Sequence, residues 1–84
     1  MRFLAQIDVM PFKEILDPQG KAVKLGLENL GVYRVTDVRI GKHIALELEA
    51  DSEAEAEEKV RTACQKLLAN LIMEEYHYQI NVLA

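Results

Sequence analysis

Apolar and polar residues alternate along the first ten positions of the chain. A period of two predicts a β-strand with one buried face, here formed by Phe3, Ala5, Ile7 and Val9. Pro11 has no amide hydrogen for a strand ladder, so we expect the strand to end there. Residues 11–16 then connect it to the next element.

The first predicted helix runs from about Pro18 to Leu30, and its start is well marked. Asp17 is an N-cap, because its carboxylate can accept from free first-turn amides, and Pro18 suits the first helical position. Helix stability does not explain Gln19 and Gly20, since glycine weakens a first turn. Something other than helix stability therefore favours these two residues, and Gly20→Ala should leave the isolated fold intact or slightly stabilised if Gly20 has helical backbone angles.

The body of this helix carries one apolar stripe, formed by Val23, Leu27 and Leu30. Gly26 lies beside the stripe, where a missing side chain predicts a close approach of the helix to a sheet. Gly31 provides a stop at the carboxyl end of the helix.

The middle of the chain predicts a β-hairpin. Val35–Ile40 alternates as a second strand, Ile44–Ala50 as a third, and Gly41-Lys42-His43 has the composition of a tight turn between them.

A second helix follows, and a strand ends the pattern. Ser52 with Glu55 three residues later fits a capping box at the helix start. Asn70 is the expected stop, and residues 76–82 alternate through a last strand. The apolar stripe of the helix consists of Ala56, Val60, Ala63, Cys64 and Leu67.

The predicted order is therefore βαββαβ in one domain spanning residues 1–84. This order favours an α+β, ferredoxin-like two-layer sandwich, in which a four-stranded antiparallel sheet carries both helices on one face. The other face of the sheet is mixed in polarity and, in so small a chain, favours pairing with a second copy. Its predicted members are Leu4, Gln6, Asp8, Met10, Asp37, Arg39, Ala45, Glu47, Glu49, His77, Gln79 and Asn81.

Composition narrows the function classes. The net charge of −4 argues against a nucleic-acid binder, which would carry a basic stripe. A single cysteine excludes an intrachain disulfide and favours a cytoplasmic setting. No apolar run has the length of a membrane span, and the first residues lack the pattern of a signal peptide.

Neither a catalytic nor a metal-binding constellation is evident. His43 and His77 lack ligands at metal spacing, and Cys64 lies on an apolar stripe, where a buried thiol is expected. Strand three has no aromatic side chain for stacking RNA bases. A stand-alone module that senses a small molecule stays open on this pattern, and a small hydrolase is a weaker alternative because no nucleophile can be placed.

Three stretches in this order and spacing resemble PurS, the small-subunit family of phosphoribosylformylglycinamidine synthase. They are Leu16-Asp-Pro-Gln-Gly20, Asp37-Val-Arg-Ile-Gly-Lys42, and Cys64-Gln-Lys-Leu-Leu-Ala-Asn70 followed by Ile72-Met-Glu-Glu-Tyr76. The resemblance covers nearly the whole chain. One departure is Leu71, which stands where the family usually has proline; we expect it to loosen the turn before the last strand without threatening the fold.

The resemblance implies a non-catalytic subunit that bridges a synthetase (PurL-type) and a glutaminase (PurQ-type) and supports ammonia transfer between them. It implies self-association as a dimer or higher oligomer, and the fourth step of de novo purine synthesis in the cytoplasm. The complex would use ATP, Mg²⁺ and glutamine, with no cofactor or metal bound by this chain. By position, the family motifs fall on candidate partner-binding residues Asp17, Pro18, Gln19, Gly20, Arg39, Gly41, Lys42 and Asn70.

Local structure alone explains several of these candidates. Asp17 and Pro18 can simply cap the helix, Gly41 can simply turn, and Asn70 can simply end its helix. Local structure does not by itself require the residue types found at Gln19, Gly20, Arg39 and Lys42. A role in contacting partner chains is therefore more strongly favoured for these residues.

Overall fold

A computed structural model describes residues 1–83 of the chain. The elements in chain order are β1 (Arg2–Pro11), α1 (Pro18–Asn29), β2 (Lys42–Glu49), α2 (Glu53–Ala63) and β3 (Glu74–Leu83). A π-helical turn, Cys64–Leu68, continues α2 directly.

The sheet is antiparallel and has three strands in the order β2-β1-β3. β1 is central, and its alternating side chains Phe3, Ala5, Ile7 and Val9 are fully buried, as the sequence pattern predicts. One face of the sheet therefore supplies the core. The other face carries Leu4, Gln6 and Asp8 from β1, which pair in register with residues of both neighbouring strands.

The α2 helix covers the core face of the sheet. Ala56, Val60 and Cys64 are fully buried there, in the predicted apolar stripe. The Ser52 hydroxyl accepts from the Glu55 amide at 3.2 Å, and the Glu55 carboxylate accepts from the Asp51 amide at 3.2 Å. The predicted helix start is therefore confirmed. The α-helical part ends at Ala63, and the π-helical turn continues only to Leu68, two residues short of the predicted stop at Asn70.

The predicted second strand, Val35–Ile40, is absent, so the four-stranded sheet and the βαββαβ order are wrong. The segment does not pair with β2, its predicted hairpin partner, whose outer edge stays free in the three-stranded sheet. The Ile40 amide donates instead to the Asp17 carboxylate at 2.9 Å, and the Thr36 carbonyl accepts from Lys24 Nζ at 3.3 Å. Residues 31–41 thus run along α1 as an irregular segment.

The prediction that both helices cover one sheet face also fails for α1. Gly20 is its one buried residue, while Val23 and Leu30, in the predicted stripe, are 42% and 80% exposed. Apart from the backbone of its own helix and its chain neighbours, no atom of residues 1–83 lies within 4 Å of the place where a Gly26 side chain would stand, so Gly26 does not mark a close approach to the sheet. The α1 helix begins and ends where predicted, with Gly31 at φ +84° beyond its carboxyl end.

The chain is consequently long and thin. Its extents are 51 × 29 × 14 Å, and its radius of gyration is 16.5 Å. A compact domain of this length would have a radius of gyration of about 12 Å. Residues 1–83 contain no helix long and apolar enough to cross a membrane.

Candidate functional site: the motif end of the sheet

Asp17 joins the first family-like motif to the second. Its Oδ1 accepts from the Gly20 amide at 2.9 Å, which makes it the predicted N-cap of α1. Its Oδ2 accepts from the Ile40 amide, also at 2.9 Å, across 23 residues of sequence. One carboxylate therefore both caps the helix and holds the returning segment 31–41 against the helix start.

These contacts lower the pKa of the Asp17 carboxyl. The hydrogen bond from the Gly20 amide is the largest cause, the bond from the Ile40 amide is the next, and the positive charge of Arg39 adds to them. Each of these interactions favours the ionised carboxylate over the protonated acid. Asp17 therefore stays ionised to a lower pH than an ordinary aspartate.

Gly20 is required by this packing. A Cβ atom at Gly20 would overlap the carbonyl oxygen of Val38 and would lie 2.6 Å from Asp17 Oδ2. Gly20 is also buried within its own chain. The glycine thus allows residues 37–40 to cross the helix start, and the expectation that alanine is tolerated or stabilising there is wrong.

Gly41 has a similar role where the segment 31–41 passes the end of β1. A Cβ atom there would overlap the Val9 carbonyl oxygen and the Met10 sulfur. Gly41 immediately precedes β2, so it is not the turn of a hairpin. It lets the segment pass the end of β1 before it enters the sheet.

The third motif meets the second through Glu74. Lys42 Nζ lies 3.9 Å from Glu74 Oε2, and Glu74 Oε1 accepts from the Asn70 amide at 2.9 Å. The Asn70 carbonyl accepts from the Glu74 amide at 2.7 Å and Asn70 Oδ1 accepts from the Ile72 amide at 3.1 Å. The turn before β3 is therefore closed by its own hydrogen bonds, although Leu71 stands in the place of a proline.

The three motifs border two adjoining cavities at this end of the molecule, which we call the motif end. Both cavities share Ile15, Leu16 and Asp17. One has a volume of about 330 Å³ and is further lined by Lys13, Glu14, Lys21, Asp37, Val38 and Arg39. The other has a volume of about 270 Å³ and is further lined by Pro11, Ile40, Asn70, Met73 and Glu74.

The predicted site residues divide into two groups at the motif end. Asp17, Gly20, Gly41 and Asn70 have clear structural duties, described above. Arg39 lies half-buried in the larger cavity, whereas Pro18, Gln19 and Lys42 are exposed. A partner-binding role for these residues stays a prediction.

Sequence reasoning missed one polar row on the open sheet face. Asp8 pairs in register with His43 on β2 and with His77 on β3, and its Oδ1 lies 2.7 Å from His43 Nδ1. The register of the three strands could have revealed this row, but the incorrectly predicted hairpin placed His43 in a turn and not in a strand. No group of three metal-ligating side chains lies within residues 1–83. Cys64 is buried, and burial raises the pKa of its thiol.

Residues 4–82 match the family described as PurS: phosphoribosylformylglycinamidine (FGAM) synthase. The chain belongs to the PurS family. It is 49% identical over 69 residues to the PurS subunit of phosphoribosylformylglycinamidine synthase from Synechocystis, covering 82% of this chain and 69% of that one. The same subunit from Bacillus subtilis is 41% identical over 68 residues, covering 81% and 80%.

Solved PurS structures have the same fold. PurS from Thermus thermophilus aligns over 100% of both chains with a TM-score of 0.86 and 40% identity. A chain of the PurLQS structure from Thermotoga maritima aligns with a TM-score of 0.87 and 34% identity, over 96% of this chain and 99% of that one.

Proposed function

We propose that this chain is the small, non-catalytic subunit of phosphoribosylformylglycinamidine synthase in de novo purine synthesis. The observation that carries the proposal is the family match over residues 4–82, supported by a PurLQS relative with a TM-score of 0.87. The subunit would bridge a PurL-type synthetase and a PurQ-type glutaminase in the cytoplasm and support ammonia transfer between them. ATP, Mg²⁺ and glutamine would be used by the complex and not held by this chain.

The shape of the chain supports an assembly role. The α1 helix and residues 31–41 expose large apolar side chains that include Leu25 at 60% and Tyr33 at 73%. Apolar surface of this kind gains free energy when another chain covers it. The β2 and β3 strands also end the sheet with backbone groups that a second copy could pair. We therefore include a homodimer or higher oligomer in the proposal.

The motif end is the proposed partner-binding surface. Gln19 and Arg39 are the residues there whose type is least explained by contacts within the chain, and Lys42, whose one ion pair is the 3.9 Å contact with Glu74, joins them in the proposal. Asp17, Pro18, Gly20, Gly41 and Asn70 would act by shaping the backbone that presents them.

Reconstitution tests this function. Purified chain is mixed with the PurL-type and PurQ-type subunits, ATP-Mg²⁺, formylglycinamide ribonucleotide and glutamine. We expect glutamine-dependent product formation to require this chain, while ammonia-dependent turnover by the synthetase should depend on it much less. Equal glutamine-dependent rates with and without the chain would contradict the proposal.

A further inference from the structure

The larger cavity of the motif end collects three cationic side chains from three separate segments. Lys13 comes from the connection after β1, Lys21 from the first turns of α1, and Arg39 from the irregular segment 31–41. Neither lysine forms an ion pair with any of residues 1–83. Asp17, the N-cap of α1, lines the same cavity.

Arg39 is incompletely satisfied. Its Nη2 atom is buried and has no hydrogen-bond partner within the described chain. Leaving a buried charged donor unpaired is costly. Asp17 is close enough for the Arg39 charge to lower its pKa, but both carboxylate oxygens already accept from backbone amides. The guanidinium therefore has donor capacity left for a group from outside the chain.

The charge of the lining selects the kind of group. Lys13, Lys21 and Arg39 are balanced by three carboxylates, which belong to Glu14, Asp17 and Asp37. Because the lining is neutral overall, a bound monoanion leaves one net negative charge in the cavity and a dianion such as phosphate leaves two, which costs more to remove from water. A carboxylate, in contrast, carries one charge and matches the fork of a guanidinium with two parallel hydrogen bonds.

We propose that this cavity receives the carboxylate of an aspartate or glutamate side chain from a partner subunit. Arg39 donates to the carboxylate, and Lys13 and Lys21 flank it at the mouth. The volume of about 330 Å³ accommodates a whole acidic side chain. This inference rests on the proposed function and adds to it the chemistry by which the motif end recognises its partner.

The test compares Arg39→Gln with Lys66→Gln in the reconstituted complex. Lys66 is exposed on the π-helical turn, outside the cavity, so its variant controls for the loss of one positive charge. We expect Arg39→Gln to weaken assembly on the order of tenfold or more, as for the loss of a charged hydrogen bond. The Lys66→Gln affinity should match the wild type. The readout is the constant for dissociation of this chain from the reconstituted complex. It is measured by analytical ultracentrifugation or native mass spectrometry at several salt concentrations.

The double variant Lys13→Gln/Lys21→Gln keeps the test decisive if Arg39→Gln disturbs the fold, since both lysines are exposed. It should weaken assembly and flatten its salt dependence. Wild-type affinity and salt dependence in the double variant and in a folded Arg39→Gln would overturn the inference. Saturable binding of inorganic phosphate to the isolated chain, combined with normal assembly of both variants, would also overturn it. Failure of the wild-type chain to assemble would instead refute the proposed function itself.

Discussion

The two halves of this molecule are held together by different forces. The sheet and α2 enclose fully buried apolar side chains, among them Phe3, Ile7 and Val60. The α1 helix and residues 31–41 have no comparable core, and the Asp17 carboxylate links them through two backbone amides. We call these parts the sheet half and the α1 half.

This difference indicates that the two halves have different roles, the sheet half in stability and the α1 half in binding other chains. Burial of apolar surface is the main source of stability in a small domain, so the sheet half is stabilised chiefly by its own buried side chains. In the α1 half, polar anchoring fixes the backbone while apolar side chains stay exposed. Such a surface is suited to burial against another chain.

The largest expected effect comes from emptying the core of the sheet half. Phe3 is fully buried against Ala50 and Ala56, so Phe3→Ala should cost about 3–5 kcal/mol of unfolding free energy. Leu25→Ala in the α1 half serves as the control, because Leu25 is 60% exposed, and it should change stability by at most about 0.5 kcal/mol. Urea denaturation of each variant as a monomer measures both. Equal losses would mean that the halves are not differently packed.

A second pair of variants tests the backbone crossing in the α1 half. Gly20→Ala forces a side chain against the Val38 carbonyl and should destabilise by about 1–3 kcal/mol. Gly26→Ala, in the same helix but with open space around it, should instead stabilise by up to about 1 kcal/mol. Thermal unfolding followed by circular dichroism distinguishes the two. A stabilising Gly20→Ala would contradict the close crossing.

A third prediction uses pH to isolate the Asp17 anchor. The pKa of Asp17 is lower in the folded chain than its ordinary value. The stability it contributes is therefore present above the unfolded pKa and is lost as pH falls through the folded pKa. Asp17→Asn should lower the melting temperature at pH 7, and its difference from wild type should shrink as the pH is lowered below 4. A difference that is independent of pH would show that the ionised carboxylate is not what holds the anchor.

The smallest effect is expected on the open face of the sheet. Asp8 and His43 lie 2.7 Å apart, but their side chains are 62% and 53% exposed. Replacing His43 by asparagine should cost about 0.2–1 kcal/mol at most, as for other exposed pairs. The measurement is again urea denaturation. A loss comparable to that of Phe3→Ala would place a much stronger interaction on this face.

The sequence predicted the sheet half well, because its signals are local. The alternation of β1 and the cap of α2 by Ser52 each depend on neighbours a few residues away. The α1 half depends instead on contacts distant in sequence, such as the bond from the Ile40 amide to Asp17. The alternation of Val35–Ile40 therefore predicts a strand, whereas the segment is held by Asp17 and pairs with no strand of the sheet.

The candidate site was predictable in its residues but not in its arrangement. The family motifs identified Asp17, Gly20, Arg39 and Gly41 by position. Their meeting at one end of the sheet follows from how the segment 31–41 returns across α1. Gly20 illustrates the limit, since its neighbour Val38 lies eighteen residues away in the chain.

Hydrogen–deuterium exchange tests the central claim, that the α1 half is the half that faces other subunits, most directly. Amide exchange is measured for the chain as an isolated monomer and within the active complex with the PurL-type and PurQ-type subunits. Amides of β1 should be protected in both states, whereas amides of α1 should exchange fast in the monomer and slowly in the complex. An α1 helix whose exchange is unchanged on assembly, in a complex that turns over glutamine, would contradict the account.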